Sequence, residues 1–390
     1  MMPKNAISSP PSGMASHFGK LNVYRLPLSS KQTLLAFDQG DLLALDYIHE
    51  QQLLQPHSRV LVVNDAFAAV TCGLTEAVKM LTGGVPTLWS DSHIAQQALA
   101  HNAQHNGLAL ADFVPAHKTP QGAFDLMVLK LPKSHRLLKD QVARLLPQLA
   151  AGAVIIMPVM VKHLDTPLFV LLESLLGPLT TSLARKKARL VLAAKVEAGD
   201  GESPPAQTHR WSVAGLGLTL DHYSGVFSPT KLDQGAQVLL ENFPDGNYQH
   251  IIDLGCGNGV QAIMAAKKWP QSQVTGVDES CMAVASATNN ALANGVGSQC
   301  RFITNDCLTD MDPQSADLIL CNPPFHQERV MGDQIAMRMF AQAAQVLSAD
   351  GELWVVGNRH LGYHAKLKRW FKQVQQIGSH PKFVVLKARL

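Results

Sequence analysis

Apolar runs of three to six residues recur along the chain, each followed by a polar or glycine-rich break and then by residues at helical spacing. In the second half these are Ile251-Ile252-Asp253-Leu254, Gln273-Val274-Thr275-Gly276-Val277, Phe302-Ile303-Thr304, Asp317-Leu318-Ile319-Leu320-Cys321, and residues 352–357 and 382–386. Such runs predict buried strands. Their alternation with helical stretches predicts an α/β chain whose mostly parallel sheets carry helices on both faces. Residues 232–242 read as a helix, 211–220 as a hairpin broken at 215–217, and the stretch after Gly357 as a basic amphipathic helix with Arg359, His360, Lys366, Lys368, Arg369 and Lys372.

The first half repeats this order. Residues 60–64 correspond to the strand ending at Asp253, and Trp89-Ser90-Asp91 with its helix to Asn106-Gly107 corresponds to Val277-Asp278 with its helix to Asn294-Gly295. Residues 124–129 correspond to 316–321, and 187–192 to 381–386. Chance likeness of two α/β halves is the alternative, and the shared order and spacing weigh against it. Setting Asn64 on Asp253 puts Ala66, Ala68 and Val70 against Gly255, Gly257 and Gly259. Setting Asp125 on Asp317 puts Lys130, Leu131, Pro132 and Lys133 against Asn322, Pro323, Pro324 and Phe325. The first copy is therefore expected to bind no cofactor and to keep another surface task, such as holding RNA. Residues 199–205 disfavour helix and strand. The expected organisation is a flexible tail (1–20), a degenerate domain (21–198), a linker (199–208) and a catalytic domain (209–390).

Composition narrows the class. A length of 390 residues suits two domains. No run of eighteen apolar residues exists to span a membrane, and the first twenty residues lack the apolar core of a signal peptide. Six cysteines without a CxxC pair are expected to be reduced thiols in the cytosol, and sixteen histidines without HExxH spacing argue against a metal site. Residues 1–200 carry 18 Lys/Arg against 14 Asp/Glu, and residues 201–390 carry 15 against 16, so the positive excess lies in the first half. There Arg185, Lys186, Lys187 and Arg189 cluster, as do Lys130 and Lys133 near Arg136 and Lys139. Clustered cations suit phosphates, although a solvated edge is the ordinary alternative.

The chemistry-bearing motifs follow the strands of the second half. Residues 251–259 run from a buried strand into Gly255-Cys256-Gly257-Asn258-Gly259, a loop that lets a cofactor approach bare backbone. A dinucleotide site is the competitor, but its G-x-G-x-x-G/A spacing needs a small residue where Val260 stands. Asp278 ends the next strand, 25 residues after Asp253, where a ribose-binding carboxylate belongs. Asn322-Pro323-Pro324-Phe325 follows the strand at 317–321. An amide and prolyl carbonyls with no N–H beside them can accept from an exocyclic NH2, and Phe325 offers a face to a planar base.

Together these residues resemble a class I methyltransferase using S-adenosylmethionine, with Gly255-Cys256-Gly257-Asn258-Gly259 after Asp253 as its motif I. With the worn first copy, the chain resembles the tandem-domain ribosomal RNA guanine-N2 methyltransferases. Asn64-Asp65-Ala66-Phe67, Phe325-His326-Gln327, residues 358–361 and 382–388 are similar to their large-subunit, RlmG-type branch. The resemblance implies two tandem class I methyltransferase (Rossmann-like) domains, each ending in an antiparallel hairpin. It implies donor contacts from Phe227, Asp253, Gly255, Cys256, Gly257, Gly259, Asp278, Glu279, Asn305, Asp306 and Asn322, with Asp306 near the adenine. Asn322, Pro323, Pro324 and Phe325 would carry catalysis, and Lys130, Lys133, Arg185, Lys186, Lys187 and Arg189 would hold RNA. The implied substrate is 23S rather than 16S ribosomal RNA, met by a monomer. Asn-Pro-Pro with an aromatic also resembles the glutamine-N5 methyltransferases of proteins, and a non-catalytic RNA-binding factor is a third reading.

Overall fold

The computed structural model of the chain describes residues 10–30, 32–195, 197, 199–213, 215–226, 232–324 and 329–390. The chain divides into two compact units, Met1–Ala206 and Gln207–Leu390.

The second unit is built on a seven-stranded sheet in the order Cys300–Thr304, Gln273–Asp278, His250–Leu254, Ala316–Cys321, Leu347–Asn358, Phe383–Arg389, Gln373–Ser379. The first five strands are parallel and the last two pair antiparallel. Alternate residues of a strand go to opposite faces. In Ala316–Cys321, Leu318 and Leu320 join the core under helix Val260–Lys268, while Ile319 and Cys321 join the core under helix Arg329–Val346. Both faces are covered, which is why the run is apolar throughout.

The first unit repeats the plan strand for strand: Asp112–Pro115, Thr87–Ser90, Val60–Val63, Phe124–Leu129, Leu149–Met160, Ala188–Ala194, Thr180–Thr181. Its register corrects the sequence alignment. Val63 lies opposite Leu129 and Trp89, as Leu254 lies opposite Cys321 and Val277. Asn64, Ala66 and Ala68 therefore stand where Gly255, Gly257 and Gly259 stand, two residues from the alignment on Asn64 and Asp253. The last strands also shift by one, since Leu192 faces Ile156 and Lys387 faces Trp354. Setting Lys130 against Asn322 agrees with the register.

Each sheet is preceded by a hairpin, Ser12–Ser16 with Gly19–Val23 and Thr208–Val213 with Leu218–Tyr223. Asn290 and Asn294 of helix Cys281–Ala293 and its cap grip the second hairpin: their amides accept from the Asp221 N–H (2.7 Å) and Thr219 N–H (3.3 Å) and donate to the same residues' carbonyls. Asn102 and Asn106 grip Tyr24 and Asn22 in the same way. Residues 12–20 are thus part of the first unit, with Met14 buried in its core, and not a flexible tail. The stretch expected as a linker is also partly fastened: Gly199 N–H donates to the Leu149 carbonyl and Ser203 Oγ–H to the Arg144 carbonyl. The basic helix expected after Gly357 is short, Tyr363–Leu367, so Arg359, His360, Lys368, Arg369 and Lys372 lie outside it. Among the described residues no helix is long and apolar enough to cross a membrane.

Candidate active site

The carboxyl ends of four neighbouring strands bring the candidate residues of the second unit together. Strand order reverses between His250–Leu254 and Ala316–Cys321, and Leu254 is directly opposite Cys321. The next residues on each side are Gly255 and Asn322. A crevice outside such a switch point is where α/β sheets bind ligands. Gly255 and Cys256 donate their N–H groups to the Val277 carbonyl, at 2.8 and 3.0 Å, which draws the loop over the strand that ends at Asp278.

Gly257 and Gly259 are glycines for different reasons. Both have positive φ, 53° and 82°. A Cβ on Gly259 would lie 2.9 Å from Ala287 Cβ, so this glycine lets helix Val260–Lys268 close on helix Cys281–Ala293. A Cβ on Gly257 would meet nothing within 4 Å. Open space therefore faces the middle of the loop, as a donor lying over bare backbone requires.

The acids around the loop differ in state. Asp278 ties the loop down, with Oδ2 accepting from the Gly257 N–H (2.8 Å) and Oδ1 from the Ser280 N–H (3.0 Å). Glu279 follows, half-buried. Asp253 is fully buried; its Oδ2 accepts from the Ala262 N–H at 3.0 Å, and its Oδ1 has no partner. Burial pushes its carboxyl up to about 7 against the pull of the Ala262 N–H, and the Asp278 charge adds to the rise. Burial also raises the Cys256 thiol well above the usual range, so it is no thiolate nucleophile. Asn305 and Asp306 are buried after strand Cys300–Thr304. Asp306 Oδ1 pairs with Arg338 from helix Arg329–Val346, a partner that sequence spacing did not reveal. The buried unpaired Asp253 oxygen, the anchored Asp278 and the space over Gly257 fit a cationic, ribose-bearing donor.

Asn322 has a divided side chain. Its Nδ2 donates to Asp233 Oδ2 at 2.9 Å, while its Oδ1 is buried without a partner. An orphaned buried acceptor costs about 1–3 kcal/mol, which a ligand N–H would recover. Asp233 caps helix Gln234–Glu241 by accepting from the Ala236 N–H. Pro323 is buried and Pro324 half-buried, and the Asn322 carbonyl lies 3.9 Å from a Cβ built on Gly255. Phe325 and Phe227 lie outside the described residues.

The corresponding place in the first unit is filled. Lys130, in the position of Asn322, sets its Nζ 2.6 Å from Asp41 Oδ1 and 4.0 Å from Asp65 Oδ1, and both carboxylates are buried. Burial alone would lower the Lys130 ammonium, but Asp41, Asp65 and Asp38 hold it above the ordinary lysine range. Lys130 is thus an internal ion-pair partner, which corrects its assignment to RNA. Asn64 and Gln141 close the gap further with reciprocal amide hydrogen bonds of 3.0 and 2.9 Å. Arg189 is half-buried in its strand, whereas Lys133, Arg185, Lys186 and Lys187 are exposed. Arg185 lies 3.4 Å from Glu50. Lys162 and His163, exposed and not singled out from sequence, join the turn because the Val161 N–H donates to the Lys187 carbonyl. Among the described residues no cluster of His, Cys, Asp and Glu could hold a metal ion, and all six cysteines are free.

Comparison with known proteins matches both units. Residues 12–198 match the family described as RLMG N-terminal domain, and residues 217–387 the Methyltransferase small domain. The protein called ribosomal RNA large subunit methyltransferase G in Pseudomonas aeruginosa (strain UCBPP-PA14) is 44% identical over 377 residues, covering 96% of this chain and 98% of that protein. Its namesake in Pseudomonas putida (strain W619) is 43% identical over 379 residues, covering 96% and 99%. The chain belongs to this ribosomal RNA large subunit methyltransferase G family. It is a methyltransferase, and its second unit has the class I fold. Among solved structures, the T. thermophilus 16S rRNA N2 G1207 methyltransferase (RsmC), in complex with AdoMet and guanosine, shares the fold with a TM-score of 0.73 at 21% identity, covering 97% of each chain.

Proposed function

We propose that the second unit transfers a methyl group from S-adenosylmethionine to the exocyclic N2 amine of one guanine in 23S ribosomal RNA. The observation that carries this reading is the Asn322 amide, whose nitrogen is occupied by Asp233 and whose buried oxygen has no partner. The lone pair of a guanine amine is delocalised into the ring, so the amine is a poor nucleophile with two N–H groups to donate. Asn322 Oδ1 accepts one and the Pro323 carbonyl the other, which turns the lone pair out of conjugation. The donor supplies a methyl group already activated by a positive sulfur, so no strong general base is needed, and the amine proton can leave to water. Positioning and polar preorganisation carry the rate. Phe325 is assigned as the stacking face for a base drawn out of its stack.

Asp253, Gly255, Cys256, Gly257, Gly259, Asp278, Glu279, Asn305 and Asp306 are assigned to the donor, with Phe227 closing over its methionine end. The names of the relatives favour the large-subunit RNA over 16S RNA, and the guanosine in the T. thermophilus complex favours guanine. In the first unit Lys133, Arg185, Lys186 and Lys187, with Lys162 and His163, are assigned to RNA phosphates. The reading is of a monomer in the cytoplasm, with a methyl transfer that calls on no metal ion.

Asn322→Ala tests the assignment. Its kcat should fall about 100- to 1,000-fold, as on removal of a preorganised polar contact, while donor affinity stays within about 3-fold. Unchanged turnover would reject the clamp.

A further inference from the structure

We infer that Asp233 is a positioning residue for methyl transfer, setting which end of the Asn322 amide meets the substrate; this rests on the reading of Asn322 above. The two ends of a carboxamide are nearly the same shape, yet only the oxygen can accept an amine hydrogen. Something must fix the polarity. Asp233 Oδ2 already accepts two hydrogen bonds, from the Ala236 N–H at 3.0 Å and from Asn322 Nδ2 at 2.9 Å.

Rotating the amide by half a turn would press two acceptor oxygens together at Asp233. It would also turn an NH2 towards a substrate amine that brings its own hydrogens. Both ends of the rotated state are repulsive, so the carboxylate selects the orientation with the oxygen free. Its charge also polarises the amide and strengthens Oδ1 as an acceptor. The contact joins residues 89 apart in sequence, the cap of one helix and the end of a central strand.

Asp233→Ser tests this, because serine is as good a helix cap but too short to hold the Asn322 amide as well. It keeps the bond to the Ala236 N–H and releases Asn322 Nδ2, so the amide can rotate. We expect kcat to fall about 100-fold while donor affinity, RNA KM and Tm hold near wild type. Asp233→Asn is the conservative control: one oxygen makes both contacts, so its amide oxygen can cap the helix and hold Asn322 together, and kcat should stay within about 10-fold of wild type.

Wild-type kcat in Asp233→Ser with an inactive Asn322→Ala would overturn the inference and leave Asp233 as a helix cap. Loss of donor affinity or Tm in step with kcat, or an Asp233→Asn variant as slow as Asp233→Ser, would overturn it in favour of a structural role. An active Asn322→Ala would instead sink the reading of the clamp itself.

Discussion

Gly257 and Gly259 look alike in sequence and differ in the structure, and the difference can be measured. Gly259→Ala adds left-handed strain to a 2.9 Å clash with Ala287, so it should destabilise the second unit by about 2–4 kcal/mol. Gly257→Ala meets no neighbour and carries only the φ strain of about 1–2 kcal/mol, but it fills the space over the loop, so donor affinity should fall. Calorimetry with and without donor separates the two, and equal donor affinity in Gly257→Ala and wild type would contradict the assignment of that space. The glycine loop, Asp278 and Asn322 were legible because their spacing from strand ends is local. Asp233 and Arg338 were not, because each reaches its partner, Asn322 or Asp306, from 89 or 32 residues away.

Elements repeat between the two units more completely than the apolar pattern announces. The hairpin at residues 12–23 is not legible in the sequence because Ser12-Gly13-Met14-Ala15-Ser16 has one large apolar side chain, and its anchors, Asn102 and Asn106, lie some eighty residues on. The two-residue slip at Asn64 arose because Asn64 and Ala68 keep the left-handed backbone of Gly255 and Gly259, at φ 61° and 55°, without being glycine. In the first unit Lys130→Ala should cost about 3–5 kcal/mol, since it strands Asp41 and Asp65 as unpaired buried carboxylates. Unchanged stability with lost RNA binding would return Lys130 to the surface role. In the second unit, Asp253 titrates near 7 when folded and near 4 when unfolded. Between those values the unfolded chain has released a proton that the folded chain still holds, so donor-free stability should fall as pH rises, by about 1.4 kcal/mol per pH unit. Asp253→Asn should flatten that slope, and denaturant melts at pH 5 and 7 would show it.

At the scale of the whole molecule, division of labour is the claim, with donor chemistry in the second unit and phosphate contacts in the first. Neutralising Lys133, Arg185, Lys186 and Lys187 together should weaken RNA binding and reduce its salt slope by about three to four, leaving donor affinity alone. A salt slope equal to wild type would place the RNA elsewhere. The central claim is methylation of a 23S guanine through the Asn322 oxygen. Mass mapping of ribosomal RNA from cells lacking the protein, complemented with wild-type chain or with Asn322→Ala, tests it most directly. One 23S guanine should lack its methyl group, regain it with the wild-type chain, and stay unmodified with Asn322→Ala. A 23S RNA fully methylated without the protein, or a missing methyl found in 16S RNA instead, would contradict the account.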